Sequence, residues 1–383
     1  MKSFWRDHRG FWSDVALTAV TLTGLAIVAR VRPLIFTISQ LRFPAMMIGV
    51  VGSRAVLENA GVTGYYERLF GKLGRQGGFI WPSARSYDRT FRIVRNKPNL
   101  DQQRDGVTTN SFGLIGRECS LHKPPNTRRV ALLGSSISMG LGIDPSLNYA
   151  SLLQDRLNAT RPGGTPQQIE ILNFSVAGHQ LAQLLDVAVE DAPRFEPDVY
   201  VLDLNEVEVF RNWDEQLVRV VQLGIDPKYD FLREIIRSAG ASRQDDTLTL
   251  FGKLAPFRLP VVRESLVEMK ANAERHNASF LVVLVPSVED DDLSRQRLSG
   301  IRELLGSLNI TFVDLLDTFD NVENLESLRI EPSDVHPNAR GHAMIFENLY
   351  AKLQAQPDAW GALVGPGSKS TQQAKVSSAG KPR

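Results

Sequence analysis

The stretch Leu133-Gly134-Ser135-Ser136-Ile137-Ser138-Met139-Gly140-Leu141-Gly142 follows a short apolar run, residues 130–133, and sets serines among glycines. In a parallel sheet, ligands bind at the carboxyl ends of the strands, where such a turn would lie. Glycines allow close backbone approach and positive φ, so a serine between them is presented with free backbone N–H groups around it. An acylating serine requires that setting. A phosphate-cradling loop would need Gly-Lys-Ser/Thr, and no lysine occurs here; the dinucleotide fingerprint needs a different glycine spacing. A plain tight turn between strand and helix remains the alternative.

Working outward, short apolar runs alternate with longer amphipathic ones, the mark of βα units. The pattern predicts strands over 130–133, 169–174, 199–204, 280–285 and 311–315. Helices are predicted over 149–157, 181–189, 259–275, 301–308 and 338–353. The expected fold is a three-layer α/β/α sandwich on a mostly parallel sheet. No clean βα unit appears over about 210–256, which reads as an insertion of the kind that covers a site.

Three further pieces carry chemistry. Glu331-Pro-Ser-Asp334-Val-His336-Pro-Asn-Ala-Arg-Gly-His342 immediately precedes the last helix. An imidazole that takes a serine proton needs a carboxylate to fix its tautomer and stabilise its charged form, and Asp334 and His336 supply that pair. Read alone, the same residues describe a turn and a helix cap, and Asp334, His336 and His342 are too few ligands to argue for a metal; none is expected. Asn173-Phe-Ser-Val-Ala-Gly178-His179 ends the second strand with a glycine N–H that suits a developing oxyanion. Pro197-Asp198 opens the third strand, and Asn205 ends it with a side-chain donor, or with ordinary turn chemistry.

In this order the four pieces resemble the SGNH or GDSL-type hydrolases, over residues 129–353. The lead-in Asn110-Ser-Phe-Gly113-Leu-Ile-Gly-Arg117 is similar to that of anchored members. The resemblance implies a flavodoxin-like fold and a carboxylic ester hydrolase that needs no cofactor. It implies Ser136 as nucleophile, His336 as base and Asp334 as its orienter. The oxyanion hole would be formed by the Ser136 and Gly178 N–H groups with Asn205. Small acyl esters, O-acetyl esters of carbohydrates first, are the implied substrates. An O-acyltransferase acting on a glycan by the same mechanism, or a catalytically weakened scaffold, is the alternative. Two positions depart from the pattern: Ser135 stands where an Asp is usual, and Leu204-Asn205-Glu206 replaces Gly-x-Asn-Asp.

The chain has 383 residues, 43% hydrophobic and 23% charged, enough to bury a sizeable core. Lys plus Arg number 44 against 43 Asp plus Glu, so no basic excess argues for a nucleic-acid partner. Cys119 is the single cysteine, which excludes an internal disulfide and a thiolate zinc site. Residues 15–29 carry no charge and follow Lys2, Arg6 and Arg9, as in an uncleaved signal anchor. A second run, 34–51, is interrupted by Arg42 and Pro44 and is expected at an interface or against protein. The expected organisation is therefore hydrophobic anchor helices over 1–60, a connecting and accessory segment over 61–128, the hydrolase-like domain over 129–356 and an unstructured basic tail over 357–383. The expected location is membrane-anchored, facing the periplasm or cell exterior.

Overall fold

The computed structural model describes residues 85–87, 90–160, 168–211, 213–289, 292–332 and 334–365. The apolar runs 15–29 and 34–51 lie outside these residues, as does the chain beyond 365. Among the described residues, no helix is long and apolar enough to cross a membrane.

Two short strands, β1 (Arg85–Tyr87) and β2 (Val94–Asn96), pair antiparallel ahead of the main sheet. That sheet comprises β3 (Thr127–Leu133), β4 (Gln168–Asn173), β5 (Val199–Leu204), β6 (Ser279–Leu284) and β7 (Thr311–Asp314). All are parallel, in the order β4-β3-β5-β6-β7. The three-layer sandwich expected from the alternation is therefore the fold.

Side chains alternate faces along a strand, so a central strand buried on both sides must be apolar at nearly every position. In β5, Tyr200, Leu202 and Leu204 face one layer while Val199 and Val201 face the other. The first layer is closed by the helices Leu181–Asp186, Arg258–Arg275 and Asp292–Ser307, through residues such as Leu184, Leu266 and Leu305. The second is closed by Tyr149–Thr160 and Ala339–Ala355, through Leu153, Leu157, Ile345 and Leu349.

Two expected boundaries differ. The tail was expected to begin at 357, yet Pro357–Val364 form a helix with Ala359, Leu363 and Val364 buried in the second layer. Pro at the first helical position is a start signal, since its missing N–H is not needed there. The segment expected to be connecting and accessory packs against both the insertion and the main sheet. Phe91 and Ile93 join Trp213 and the insertion helices Glu215–Leu223, Asp230–Ser238 and Thr247–Leu254 in a core of their own. Leu100, Val107 and Ile115 pack with Met139 and Ala177, and Ile115 N donates to Asn173 O at 2.9 Å, capping the open edge of β4.

Candidate active site

Strand β3 delivers the chain to Gly134, where a Cβ would meet Ser138 Oγ at 2.1 Å. Only glycine permits a turn that tight. Ser136–Met139 then forms one helical turn, ended by Gly140 in the left-handed region at φ 72°. Ser136 is half-buried at the first position of this turn, so its N–H has no intrahelical partner. Two amides hold the turn from neighbouring elements: Asn148 Nδ2 and Asn173 Nδ2 donate to Ser138 O at 2.8 and 2.7 Å.

The loop before helix Ala339–Ala355 is folded by its own sequence. Ile330 N donates to His336 O at 3.1 Å, and Asn338 Nδ2 donates to Ser327 O and Arg329 O at 2.9 and 3.0 Å. Asn338 Oδ1 caps the helix by accepting from Arg340 N and Gly341 N. A Cβ on Gly341 would lie 2.7 Å from Pro337 Cβ, so the Pro and Gly of this motif pack directly on one another. Val288 N donates to Val335 O at 2.9 Å, which fastens the loop to the end of β6.

This scaffolding places His336 Nε2 2.7 Å from Ser136 Oγ and His336 Nδ1 2.5 Å from Asp334 Oδ1. Asp334 Oδ1 also accepts from His336 N at 3.0 Å. The partners define the tautomer: Nδ1–H donates to the carboxylate and Nε2 accepts the serine hydroxyl. Burial pushes the Asp334 carboxyl up, but the His336 bonds and charge, with Arg329, outweigh it and hold the group below the usual range. A carboxylate that stays ionised can stabilise an imidazolium. Ser136, His336 and Asp334 thus form one hydrogen-bonded line.

The remaining expected residues stand at the ends of the strands flanking β3. Gly178, at φ 87°, is exposed on the turn after β4, and its carbonyl accepts from Gln216 Nε2 of the insertion at 3.0 Å. Asn205 is buried at the end of β5, and its Oδ1 accepts from Val207 N at 2.7 Å. No donation from Asn205 Nδ2 occurs among the described residues.

His342 does not join a metal site: it is buried, stacks on Tyr149 with ring centroids 5.8 Å apart, and faces Tyr149 N through Nδ1 at 3.4 Å. Burial, aided by the His336 charge, pushes it down to about 3. Among the described residues, no group of three or more His, Cys, Asp or Glu is placed to hold a metal ion.

Two acids beneath the turn that carries Ser136 escaped the sequence reading. Asp203 accepts from Ser138 Oγ and, at 2.6 Å, from Tyr149 Oη. Glu208 accepts from Ser135 Oγ and, at 2.9 Å, from Asn205 N. Burial pushes each up to about 7 against those hydrogen bonds. The only signal was indirect: Ser135 lacks the usual carboxylate, and Glu208 lies three residues beyond Asn205. A separate cleft of about 560 Å³ contains none of the three aligned residues, and its lining charges pair with one another, as in Arg92–Asp186 and Lys228–Glu190 at 2.5 and 2.8 Å.

No protein-family model matches the chain, and no curated protein matches it. Among solved structures it is similar to TesA, at TM-score 0.39 and 16% identity, over 60% of this chain and 99% of that one. It is also similar to the psychrotrophic esterase EstA from Pseudoalteromonas sp., at TM-score 0.38 and 14% identity, over 60% and 97%. A catalytic mutant of Axe2, an acetylxylan esterase from Geobacillus stearothermophilus, gives TM-score 0.40 and 14% identity, over 59% and 93%.

Proposed function

We propose that this chain is a serine hydrolase that cleaves small acyl esters through an acyl-enzyme on Ser136. The observation that carries the proposal is the line Asp334 Oδ1, His336 Nδ1, His336 Nε2, Ser136 Oγ, with separations of 2.5 and 2.7 Å. Ser136 Oγ attacks the ester carbonyl as its proton passes to His336 Nε2, and the Asp334 carboxylate stabilises the imidazolium. The N–H groups of Ser136 and Gly178 and the Nδ2 of Asn205 donate to the oxyanion. His336 then returns the proton to the leaving alcohol, and water repeats the sequence on the acyl-enzyme.

The O-acetyl group of a carbohydrate is the substrate we assign, on the likeness of the lead-in Asn110–Arg117 to anchored members of the hydrolase family that the four motifs resemble. The uncharged run 15–29 behind Lys2, Arg6 and Arg9 supports a membrane anchor; because Arg30, Arg32, Arg42 and Arg54 follow it, the flanking charges set no orientation, and the periplasm or cell exterior is assigned on the likeness to anchored members. The test offers the full chain short p-nitrophenyl esters and acetylated glycans, with released acetate and acetyl transferred to added glycan both measured. Saturable acetate release that Ser136→Ala abolishes is expected. Acetyl appearing on the glycan in preference to acetate would make the chain a transferase, and no turnover of any ester would overturn the proposal.

A further inference from the structure

The turn that carries Ser136 is joined to the strand end that carries Asn205 through one side chain. Glu208 lies in the wide turn Val207–Arg211 after β5 and is 2% exposed. One of its carboxyl oxygens accepts from Ser135 Oγ, on the residue before the serine; the other accepts from Asn205 N at 2.9 Å. Ser135 is itself buried and makes no cap to its own helix, so its hydroxyl is committed to this contact. We propose that Glu208 is a positioning residue that sets the spacing between the Ser136 N–H and the Asn205 amide by bridging Ser135 to Asn205. This rests on the serine-hydrolase reading above.

Physical reasons favour a role beyond packing. A buried carboxyl is costly to desolvate, and the charge of Asp203 adds to the cost at Glu208. An apolar side chain would fill the same space without that cost, but it would leave Asn205 N and Ser135 Oγ without an acceptor. Oxyanion donors act only when fixed near their final geometry, and a displacement of about 1 Å costs on the order of a hundredfold in rate. A bridge from Ser135 Oγ, on the residue before one donor, to the backbone N of Asn205, the residue that carries the other, holds the two donors at a set separation. Ser135, where an acidic residue is absent, then receives its carboxylate from the turn after β5.

The test measures kcat and KM for p-nitrophenyl acetate, and Tm, on full-length wild type, Glu208→Ala, Glu208→Gln, Ser135→Ala and the double variant Ser135→Ala/Glu208→Ala. Glu208→Ala is expected to lower kcat by roughly ten- to a hundredfold with KM within about threefold. Glu208→Gln should restore most of the rate, because Oε1 accepts from Asn205 N while Nε2 donates to Ser135 Oγ. Ser135→Ala should lower kcat in wild type and have no further effect in Glu208→Ala. If Glu208→Ala fails to fold, Ser135→Ala decides alone, since it cuts the bridge and keeps the buried acid. Unchanged kcat in folded Glu208→Ala or Ser135→Ala, or a Gln variant as slow as the Ala variant, would overturn the bridge. Wild type without esterase activity would instead overturn the serine-hydrolase reading.

Discussion

His336 Nε2 lies 2.7 Å from Ser136 Oγ although 200 residues of chain separate them. The first residue is held by a capped loop fastened to the end of β6, the second by a turn that glycines at 134 and 140 make feasible.

Removing either partner should stop turnover. His336→Ala is expected to lower kcat for p-nitrophenyl acetate by roughly a thousandfold or more, and Asp334→Asn by a comparable factor, because an amide no longer fixes the productive tautomer. The folded state should persist, read by circular dichroism. Near-normal turnover in His336→Ala would remove the imidazole from the chemistry.

Asn205→Ala tests the side-chain donor. With Nδ2 in the oxyanion hole, kcat should fall on the order of a hundredfold while KM moves little. An unchanged kcat would leave the Asn205 side chain a turn former, accepting from Val207 N.

Much of this was legible in the sequence because the residues concerned are local. β5 was predicted over 199–204 and occurs there, since a strand buried on both faces needs a nearly continuous apolar run, which Asp203 alone interrupts. Asp334 and His336 lie within one loop, so they were singled out together, though read alone they also described a turn and a helix cap, and their roles came from the resemblance. Glu208 was not legible, because only the pairing of β3 with β5 brings it to Ser135, 73 residues away. The burial of Phe91 and Ile93 was hidden for the same reason: their partners are helices of the insertion, more than a hundred residues downstream.

The buried groups predict opposed pH dependences. Asp203, pushed up to about 7 by burial, contributes stability that is present below its unfolded value near 4 and lost as pH rises through 7. His342, pushed down to about 3, contributes stability that is present above about 6.5 and lost as pH falls toward 3. In urea titrations between pH 4.5 and 6.5, wild type should lose about 1.4 kcal/mol per pH unit relative to Asp203→Asn as pH rises. It should lose a similar amount relative to His342→Gln as pH falls. Flat differences would show that neither group keeps its shifted value.

The C-terminal helix belongs to the domain. Ending the chain at Gln356 exposes the contacts of Ala359, Leu363 and Val364 and removes the Arg128 bonds to Leu363 O and Ala362 O, at 2.9 and 2.7 Å. A loss of about 3 kcal/mol or more, and with it a Tm lower by about 10 °C, is expected in a thermal melt. An unchanged Tm would put the end of the domain at 356.

The central claim is that Ser136 is made nucleophilic by His336. Treating the full chain with a fluorophosphonate probe and mapping the adduct by mass spectrometry tests it most directly. The account predicts a single stoichiometric adduct on Ser136, absent from Ser136→Ala and formed far more slowly in His336→Ala. No adduct on the wild-type protein, or one on another residue, would contradict it.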